Sequence, residues 1–555
     1  MTTARRILIV GGVAAGMSAA TRLRRLDENA EITVFERGPY VSFANCGLPY
    51  FVGGAITDRR SLLLQTPQGL ADRFRLDVRP GHEVIGIDRA GHTVTVRAVD
   101  TGEFAEHGYD VLILAGGAST TPALRSSGVP THTLRTVDDV DQIVRDLAEV
   151  HGDTTAVVIG GGFIGLEAVE NLVHRGLHVV LVQRGEHVLS PLDPEMSALV
   201  RDELLASGVE VRTSTTVVGP ADGGVELSDG SRIAASLIID ATGVHPDVSL
   251  ARDAGLKIGP SGGIWVDENQ RTSDPDIYAA GDGCEKVDAI DGHGALVTMA
   301  GLANRHGRAA ADSIAGIAGV AAPAIGTAIV ALFSLTIAMV GWSEKRLRDA
   351  GRPHRVIHTH PSSHASYFPG AEPMHIKLLV DADSDAILGA QIVGGSGVDK
   401  RIDVLATAMS AGITASGLRE LELAYAPQYG SAKDPVNQLG YVADNVATGA
   451  TRTLQWHELD SELNLGALLV DVRTATEHGA GRIPGAVNIP VDELRERIGE
   501  VAGRDVIVHC QVGQRGHTAA RLLAQHGVAV RNLDGGYLTW RAGASTRLLT
   551  PKELA

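Results

Sequence analysis

Short apolar runs recur along the chain, and their spacing predicts strands alternating with helices. The first, Ile7-Leu-Ile-Val10, is unbroken and branched, as a strand buried on both faces requires. Glycines 11, 12 and 16 follow, then a helical stretch to Leu26 and a second strand, Glu31 to Glu36, that ends in an acid. The same order returns at Ala156-Val-Val-Ile159, followed by Gly160, Gly162 and Gly165 and a strand from His178 to Gln183. Further strands are read at Leu112-Ile-Leu114, Ile238-Ile239, Asp276 to Ala280 and Ile387 to Val393, and an apolar helix takes in Val404 to Met409. A third alternation begins past Gly449, with strands at Ala467 to Arg473 and Val506 to His509. The pattern predicts an α/β chain. The apolar stretch from Ala321 to Val340 holds Pro323, Gly326, Thr327, Ser334 and Thr336, which predicts strands rather than a membrane span.

Composition narrows this picture. A chain of 555 residues exceeds a single core and divides into roughly three or four domains. A net charge of −17 argues against a nucleic-acid partner. The first apolar run is too short for an export signal, and three cysteines in the whole chain make no disulfide scaffold. These features predict a cytoplasmic protein with neither membrane nor nucleic acid among its partners. No metal-ligating set is read from the sequence.

One cysteine stands out. Cys46 lies in Val41-Ser-Phe-Ala-Asn-Cys-Gly-Leu-Pro-Tyr50, with no second cysteine near it, so no local dithiol can close. Gly47-Leu-Pro49 reads as a helix start, because proline's missing N–H costs nothing in a first turn. A thiol at such an end is expected to favour thiolate. A lone thiolate can form a mixed disulfide or persulfide with a small molecule, which points to a disulfide or polysulfur substrate.

The two glycine loops read as dinucleotide sites. In each, glycines permit a tight turn and close pyrophosphate approach at a helix N-terminus. In the first, Gly11, Gly12, Ala14 and Gly16 form the loop, Glu36 is placed to take ribose hydroxyls, and Val13 departs from the middle glycine. The second, Gly160, Gly162, Phe163 and Gly165, keeps all three glycines. Its strand ends in Gln183-Arg184 rather than an acid, which suits the 2′-phosphate of NADPH while leaving NADH open.

With Leu112-Ile-Leu-Ala115-Gly116-Gly-Ala118, Ile238 to Pro246 and Asp276-Ile-Tyr-Ala-Ala-Gly-Asp282, the chain resembles the pyridine nucleotide-disulfide oxidoreductases over about residues 1 to 445. The resemblance implies two Rossmann-like dinucleotide-binding domains and an α+β dimerisation domain. The FAD domain is split, 1–118 and 246–325, around an NAD(P)H domain at 119–245, and the interface domain follows at 326–445. It implies Asp282 on the flavin ribityl chain, with Arg37, Asn45, Ala115 and Gly116 also at FAD and Gly243 at the nucleotide sites. Cys284, two residues past Asp282, reads as a small buried residue, with a functional thiol as the alternative.

The segment Ser42 to Tyr50 resembles the single-cysteine branch: coenzyme A-disulfide reductases, persulfide reductases and NADH oxidases. The reductases' tyrosine pair is matched by Tyr367 and Tyr425, where a phenol can protonate a departing thiolate. Phe368 stands where the family has a further tyrosine. Coenzyme A is a long anion, and the resemblance lines its site with Ser18, Arg22, Arg25, Ser42, Asn304, Arg308 and Lys433. Arg22 and Arg25 share a helix face. A further basic position of the family falls on Phe74, flanked by Arg73 and Arg75. The family forms homodimers, which would bring Tyr425 and Lys433 to the active site of the other subunit.

Beyond a linker at 446–453, residues 454–555 suit one C-terminal α/β domain. Val506-Ile-Val-His-Cys510-Gln-Val-Gly-Gln-Arg515-Gly ends a strand in a loop, with a helix expected from Thr518. Successive N–H groups can cradle a thiolate there, and Arg515 adds positive charge. With Asp471-Val-Arg473 and Arg482-Ile-Pro-Gly-Ala486, the segment resembles a rhodanese domain, implying a persulfide on Cys510; the related phosphatases are the alternative.

The expected activity is therefore FAD-dependent, NAD(P)H-driven reduction of a persulfide, polysulfide or coenzyme A-disulfide at Cys46, with Cys510 handling sulfane sulfur. Two alternatives differ in kind. One is an NADH oxidase cycling through cysteine sulfenic acid; the other is a sulfur carrier whose flavin part only docks the tail.

Overall fold

The computed structural model describes residues 4–124, 128–149 and 154–547. The chain divides into two compact units, residues 1–184 with 215–324 and residues 185–214 with 325–555.

The first unit holds two parallel sheets of buried, branched strands. In one, strands run in the order Ile277–Ala279, Val111–Leu114, Arg6–Val10, Glu31–Glu36 and Asp77–Pro80, with Val10 level with Leu114 and Phe35. In the other, Thr155–Ile159 lies between His178–Val182 and Leu237–Asp240, with Thr131–His132 beyond. Antiparallel three-stranded sheets flank them at residues 82–108 and 217–234.

Both glycine loops take the same shape. Gly11 and Gly160 have φ of +104° and +102°, in the left-handed region that favours glycine. A Cβ on Gly16 would lie 1.9 Å from the Gly11 carbonyl oxygen, and one on Gly165 would lie 1.8 Å from that of Gly160. The middle position differs: a Cβ on Gly162 meets no protein atom within 4 Å. Local packing therefore tolerates a side chain at this position, which accounts for Val13. Helices Ala14–Leu26 and Phe163–His174 start from these loops. The first crosses helix Ala300–Ile314 closely enough that a Cβ on Gly307 would sit 2.1 Å from the Ala15 oxygen.

The second unit contains an antiparallel sheet in the order Ala328–Leu332, Leu335–Gly341, Ile387–Gly394, Met374–Asp381, His354–Thr359. Helices Val398–Ser410 and Pro435–Ala447 bury Leu405 and Leu439 against it. The stretch 321–340 contains the antiparallel strands that its β-branched content predicts, and among the described residues no helix is long and apolar enough to cross a membrane.

The C-terminal part is a parallel sheet in the order Thr453–Leu454, Ala529–Leu533, Asp505–His509, Leu468–Asp471, Val487–Asn488. Its helix begins at Gln514, four residues before the expected Thr518, because Gly513 at φ +88° makes the turn; Arg515 therefore sits in the first helical turn.

Buried charges tie three stretches of this unit together. Lys377 is fully buried, with Nζ 2.9 Å from Asp193, 2.5 Å from Glu195 and 2.6 Å from Glu344. His358 bridges Glu195, at 3.1 Å, and Asp534, at 2.7 Å. A buried ion is costly unless paired, and here each carboxylate meets a cation. Burial alone would raise the Glu195 carboxyl, but Lys377 and His358 prevail and hold it well below its ordinary value.

Candidate functional site

The first unit holds a partly open cavity of about 1030 Å³ along the carboxyl ends of its first sheet. Gly11, Ala14, Glu36, Arg37, Asn45, Ala115, Gly116 and Asp282 line it, and so do Ser18, Ser42, Asn304 and Cys46. Gly12 and Gly16, in the same loop, are not among the lining residues. The Gly12 N–H donates to Glu36 Oε2 at 2.8 Å, and that of Gly38 donates to Oε1 at 2.8 Å, so the carboxylate is fixed at the strand end. Asp282 Oδ1 is buried without a hydrogen-bond partner among the described residues. Such an acceptor calls for a donor from a bound group, and an FAD ribityl hydroxyl fits. The cavity volume, the crowded glycine loop and Glu36 fit the rest of FAD. Cys284 is buried, its thiol donating to the Gly281 oxygen at 3.3 Å, and burial pushes it up to about 11, as suits an inert packing residue.

Cys46 sits in a single turn, Asn45–Gly47, before the short helix Leu48–Gly53, which has Pro49 in its first turn. The Ser42 N–H donates to the Gly12 oxygen at 2.9 Å, anchoring this segment to the first glycine loop. Cys46 is the one exposed cysteine, yet its thiol is pushed up from the ordinary value, first by desolvation and then by Glu167. This reverses the expected thiolate preference: the helix behind it has six residues, too few for a full dipole, and an acid faces it.

Glu167 escaped the sequence reading, although it lies only two residues past Gly165 of the second glycine loop. Helix Phe163–His174 packs on Leu48–Gly53, where Arg175 Nε donates to the Val52 oxygen at 2.6 Å, and this brings Glu167 to the cavity wall. Burial holds its carboxyl up at about 7, while the Tyr50 hydroxyl, 3.3 Å away, works against that. Only tertiary packing reveals this residue.

In the second loop the Gly161 N–H donates to Gln183 Oε1 at 2.9 Å, matching the bond from Gly12 to Glu36. Gly160, Gly162, Phe163 and Gly165 form the turn, Arg184 is exposed beside Gln183, and Gly243, at φ +118°, has open space where a Cβ would be.

Helices Ala14–Leu26 and Ala300–Ile314 bring the expected anion-binding residues together in part. Ser18 Oγ lies 2.6 Å from Asn304 Oδ1 at the cavity. Farther along, Arg22 Nε donates to Asp312 Oδ1 at 2.6 Å, and Arg308 approaches the same carboxylate at 3.7 Å. Asp312, another residue the sequence reading did not single out, is thus a shared counter-ion for the two arginines. Arg25 stacks over the Phe74 ring at 6.0 Å, and Arg73 supplies a cation to the cavity lining beside Phe74.

Within the second unit, the Tyr367 and Tyr425 hydroxyls are 2.9 Å apart, with the residues 74% and 48% exposed. Lys433 is exposed on the same loop stretch as Tyr425. In the C-terminal sheet Cys510 is buried at a strand end, where its carbonyl accepts from the Tyr537 N–H at 2.8 Å. Arg515 faces Cys510 and also makes two bonds to Glu477, at 2.8 and 2.6 Å. Arg473 is bonded to Asp471 and reaches Gln511, the residue after Cys510.

The model of the pyridine nucleotide-disulphide oxidoreductases matches residues 5–302, and that of their dimerisation domain matches 327–434. The chain belongs to this family. As a member it is a flavin- and pyridine nucleotide-dependent oxidoreductase, and a rhodanese-like domain matches residues 455–543. This member is 36% identical over 440 residues to the coenzyme A disulfide reductase of Staphylococcus haemolyticus (strain JCSC1435), covering 79% of this chain and 99% of that protein. Among solved structures it is similar to the reduced Bacillus anthracis CoADR-RHD, with a TM-score of 0.95 and 44% identity over 98% of this chain and 99% of that one. It is also similar to an NAD-dependent persulfide reductase from A. fulgidus, with a TM-score of 0.90 and 36% identity over 96% of this chain and all of that one (100%).

Proposed function

We propose that the protein reduces coenzyme A persulfide, polysulfide or coenzyme A-disulfide with electrons from NADPH or NADH, using Cys46 as its single redox thiol. The observation that carries this reading is one exposed cysteine on an FAD-sized cavity, in a chain whose other two cysteines are buried. No second thiol stands ready to close a disulfide with it, so the sulfur partner comes from the substrate.

Glu36, the Gly11–Gly16 loop and Asp282 hold FAD, with Arg37, Asn45, Ala115 and Gly116 around it. FAD held by these residues would supply two-electron transfer from the nicotinamide to sulfur at Cys46. The Gly160–Gly165 loop, Gln183, Arg184 and Gly243 serve NAD(P)H. Cys46 thiolate attacks one sulfur of coenzyme A-disulfide; the S–S bond breaks, one coenzyme A leaves as thiolate, and a Cys46–coenzyme A disulfide forms. Two electrons and a proton then release the second coenzyme A and restore the Cys46 thiolate. With a persulfide the same attack leaves the sulfane sulfur on Cys46, to depart as hydrosulfide. Tyr367 and Tyr425 deliver the proton to the leaving thiolate. Ser18, Arg22, Arg25, Ser42, Asn304, Arg308 and Lys433 receive the coenzyme A anion, and Cys510, with Arg515, accepts or supplies sulfane sulfur.

The proposed domains are residues 1–118 with 246–325 for FAD, 119–245 for NAD(P)H, 326–445 for a homodimer interface and 454–555 for the rhodanese part, after a linker at 446–453. The proposed setting is a reducing cytoplasm. The dimerisation-domain match and the exposed tyrosine pair support the homodimer.

Anaerobic oxidation of NADPH and NADH with each sulfur acceptor, and aerobic oxidation without one, test this in wild type, Cys46→Ser and Cys510→Ser. Sulfur-dependent turnover lost in Cys46→Ser is expected. Turnover with O₂ alone would replace this reading with the oxidase.

A further inference from the structure

The C-terminal site is built with its guanidinium groups already occupied. Arg515, which faces the Cys510 thiol, gives one terminal nitrogen to each oxygen of Glu477. Glu477 is fixed in turn: Oε2 also accepts from the Thr474 N–H at 3.0 Å and from Thr474 Oγ1 at 2.9 Å, closing a helix capping box. The neighbouring Arg473 is buried and spent on Asp471, the Gly481 oxygen and Gln511. An oxyanion entering here would have to pull Arg515 from a carboxylate held by four hydrogen bonds. It would also meet that carboxylate's own negative charge.

Sulfane donors divide along this line. Thiosulfate carries two negative charges and three oxygens beside the sulfur to be transferred, and its binding calls for a free cation fork. An alkyl persulfide presents a bare sulfur chain with at most one charge, which loop N–H groups can cradle. We propose that Glu477 determines donor specificity at Cys510, occupying Arg515 so that the site takes sulfane sulfur from alkyl persulfides and rejects oxyanion-tipped donors of the thiosulfate class. The step is Cys510–S⁻ + R–S–SH → Cys510–S–SH + R–S⁻. The donor S–S bond breaks, a new S–S bond forms at Cys510, the thiolate leaves with the electron pair, and nothing is oxidised or reduced overall. This proposal rests on the reading that Cys510 carries sulfane sulfur.

The test uses the full-length holoenzyme with cyanide as acceptor and either thiosulfate or glutathione persulfide as donor, thiocyanate being measured. Wild type is expected to favour the persulfide at least a hundredfold in kcat/KM. Glu477→Gln is expected to raise the thiosulfate-to-persulfide ratio at least tenfold, mainly through a lower thiosulfate KM. Thr474→Ala disturbs the capping box but keeps the charge, and should change the ratio less than threefold. Wild type using thiosulfate as well as persulfide overturns the proposal, whatever the variants do. So does an unchanged ratio in Glu477→Gln, or an equal rise in Thr474→Ala. Failure of the underlying reading looks different: Cys510→Ser would then match wild type with both donors, and the proposal would fall with it.

Discussion

The hydroxyl of Tyr367 lies 2.9 Å from that of Tyr425, across 58 residues of sequence. The bond raises the Tyr425 phenol from its ordinary value, since the shared proton is harder to lose. In the proposed mechanism the two exposed phenols, joined in this way, act as one proton-donating unit. Tyr367→Phe or Tyr425→Phe is expected to lower kcat with coenzyme A-disulfide roughly a hundredfold, the lower range for a general acid. The double variant should be little worse than the weaker single one, because the two residues act together. Steady-state kinetics of the three variants check this.

Glu36 and Gln183 occupy matching places, each accepting from a glycine N–H of its own loop. In the proposed nucleotide site the neutral amide and the exposed Arg184 would favour a 2′-phosphate over a bare ribose. Gln183→Glu should lower kcat/KM for NADPH by roughly tenfold to a hundredfold through charge repulsion, and Arg184→Ala by about tenfold. Neither should lower NADH turnover as much. The ratio of the two nucleotides' kcat/KM values gives the answer.

Burial and then Glu167 raise the Cys46 thiol, and the Glu167 carboxyl, held at about 7 by its own burial, ionises across neutral pH. The sign is plain: a carboxylate opposes a thiolate beside it, so removing the charge lowers the thiol's proton affinity. In Glu167→Gln, alkylation of Cys46 by iodoacetamide at pH 7 should quicken about threefold to tenfold, with its pH profile displaced toward acid. An unchanged profile would remove Glu167 from the electrostatics of the thiol.

Burial alone would lower His358, but its bonds to Asp534 and Glu195 prevail and hold it up at about 9. A folded value above the unfolded one, about 6.5, means a contribution to stability that is fully present below that unfolded value. It is lost as pH rises through about 9. Chemical denaturation should show on the order of 3 kcal/mol more stability at pH 6.5 than at pH 9.5 from this group. Asp534→Asn should flatten that dependence.

Local features of the sequence carried most of this. The glycine loops, the strand ends at Glu36 and Gln183, the turn at Cys46 and the strand before Cys510 are short-range, set by backbone geometry and the period of apolar residues. What escaped depends on packing between distant segments. Glu167 reaches the cavity only because its helix lies on Leu48–Gly53, and Asp312 meets Arg22 only across a helix pair whose closeness depends on Gly307. The thiolate expectation at Cys46 failed for the same reason, since a six-residue helix is outweighed by burial and an opposing acid. The helix after Cys510 begins at Gln514 rather than the expected Thr518 because Gly513, in the left-handed region, sets its start.

The central claim, one thiol exchanging with a sulfur substrate, is tested most directly by the intact mass of holoenzyme treated anaerobically with coenzyme A-disulfide. Wild type should gain a single coenzyme A at Cys46 and lose it on addition of NADPH, and Cys46→Ser should gain none there. An equal adduct in Cys46→Ser, or wild-type turnover by that variant, would contradict the account.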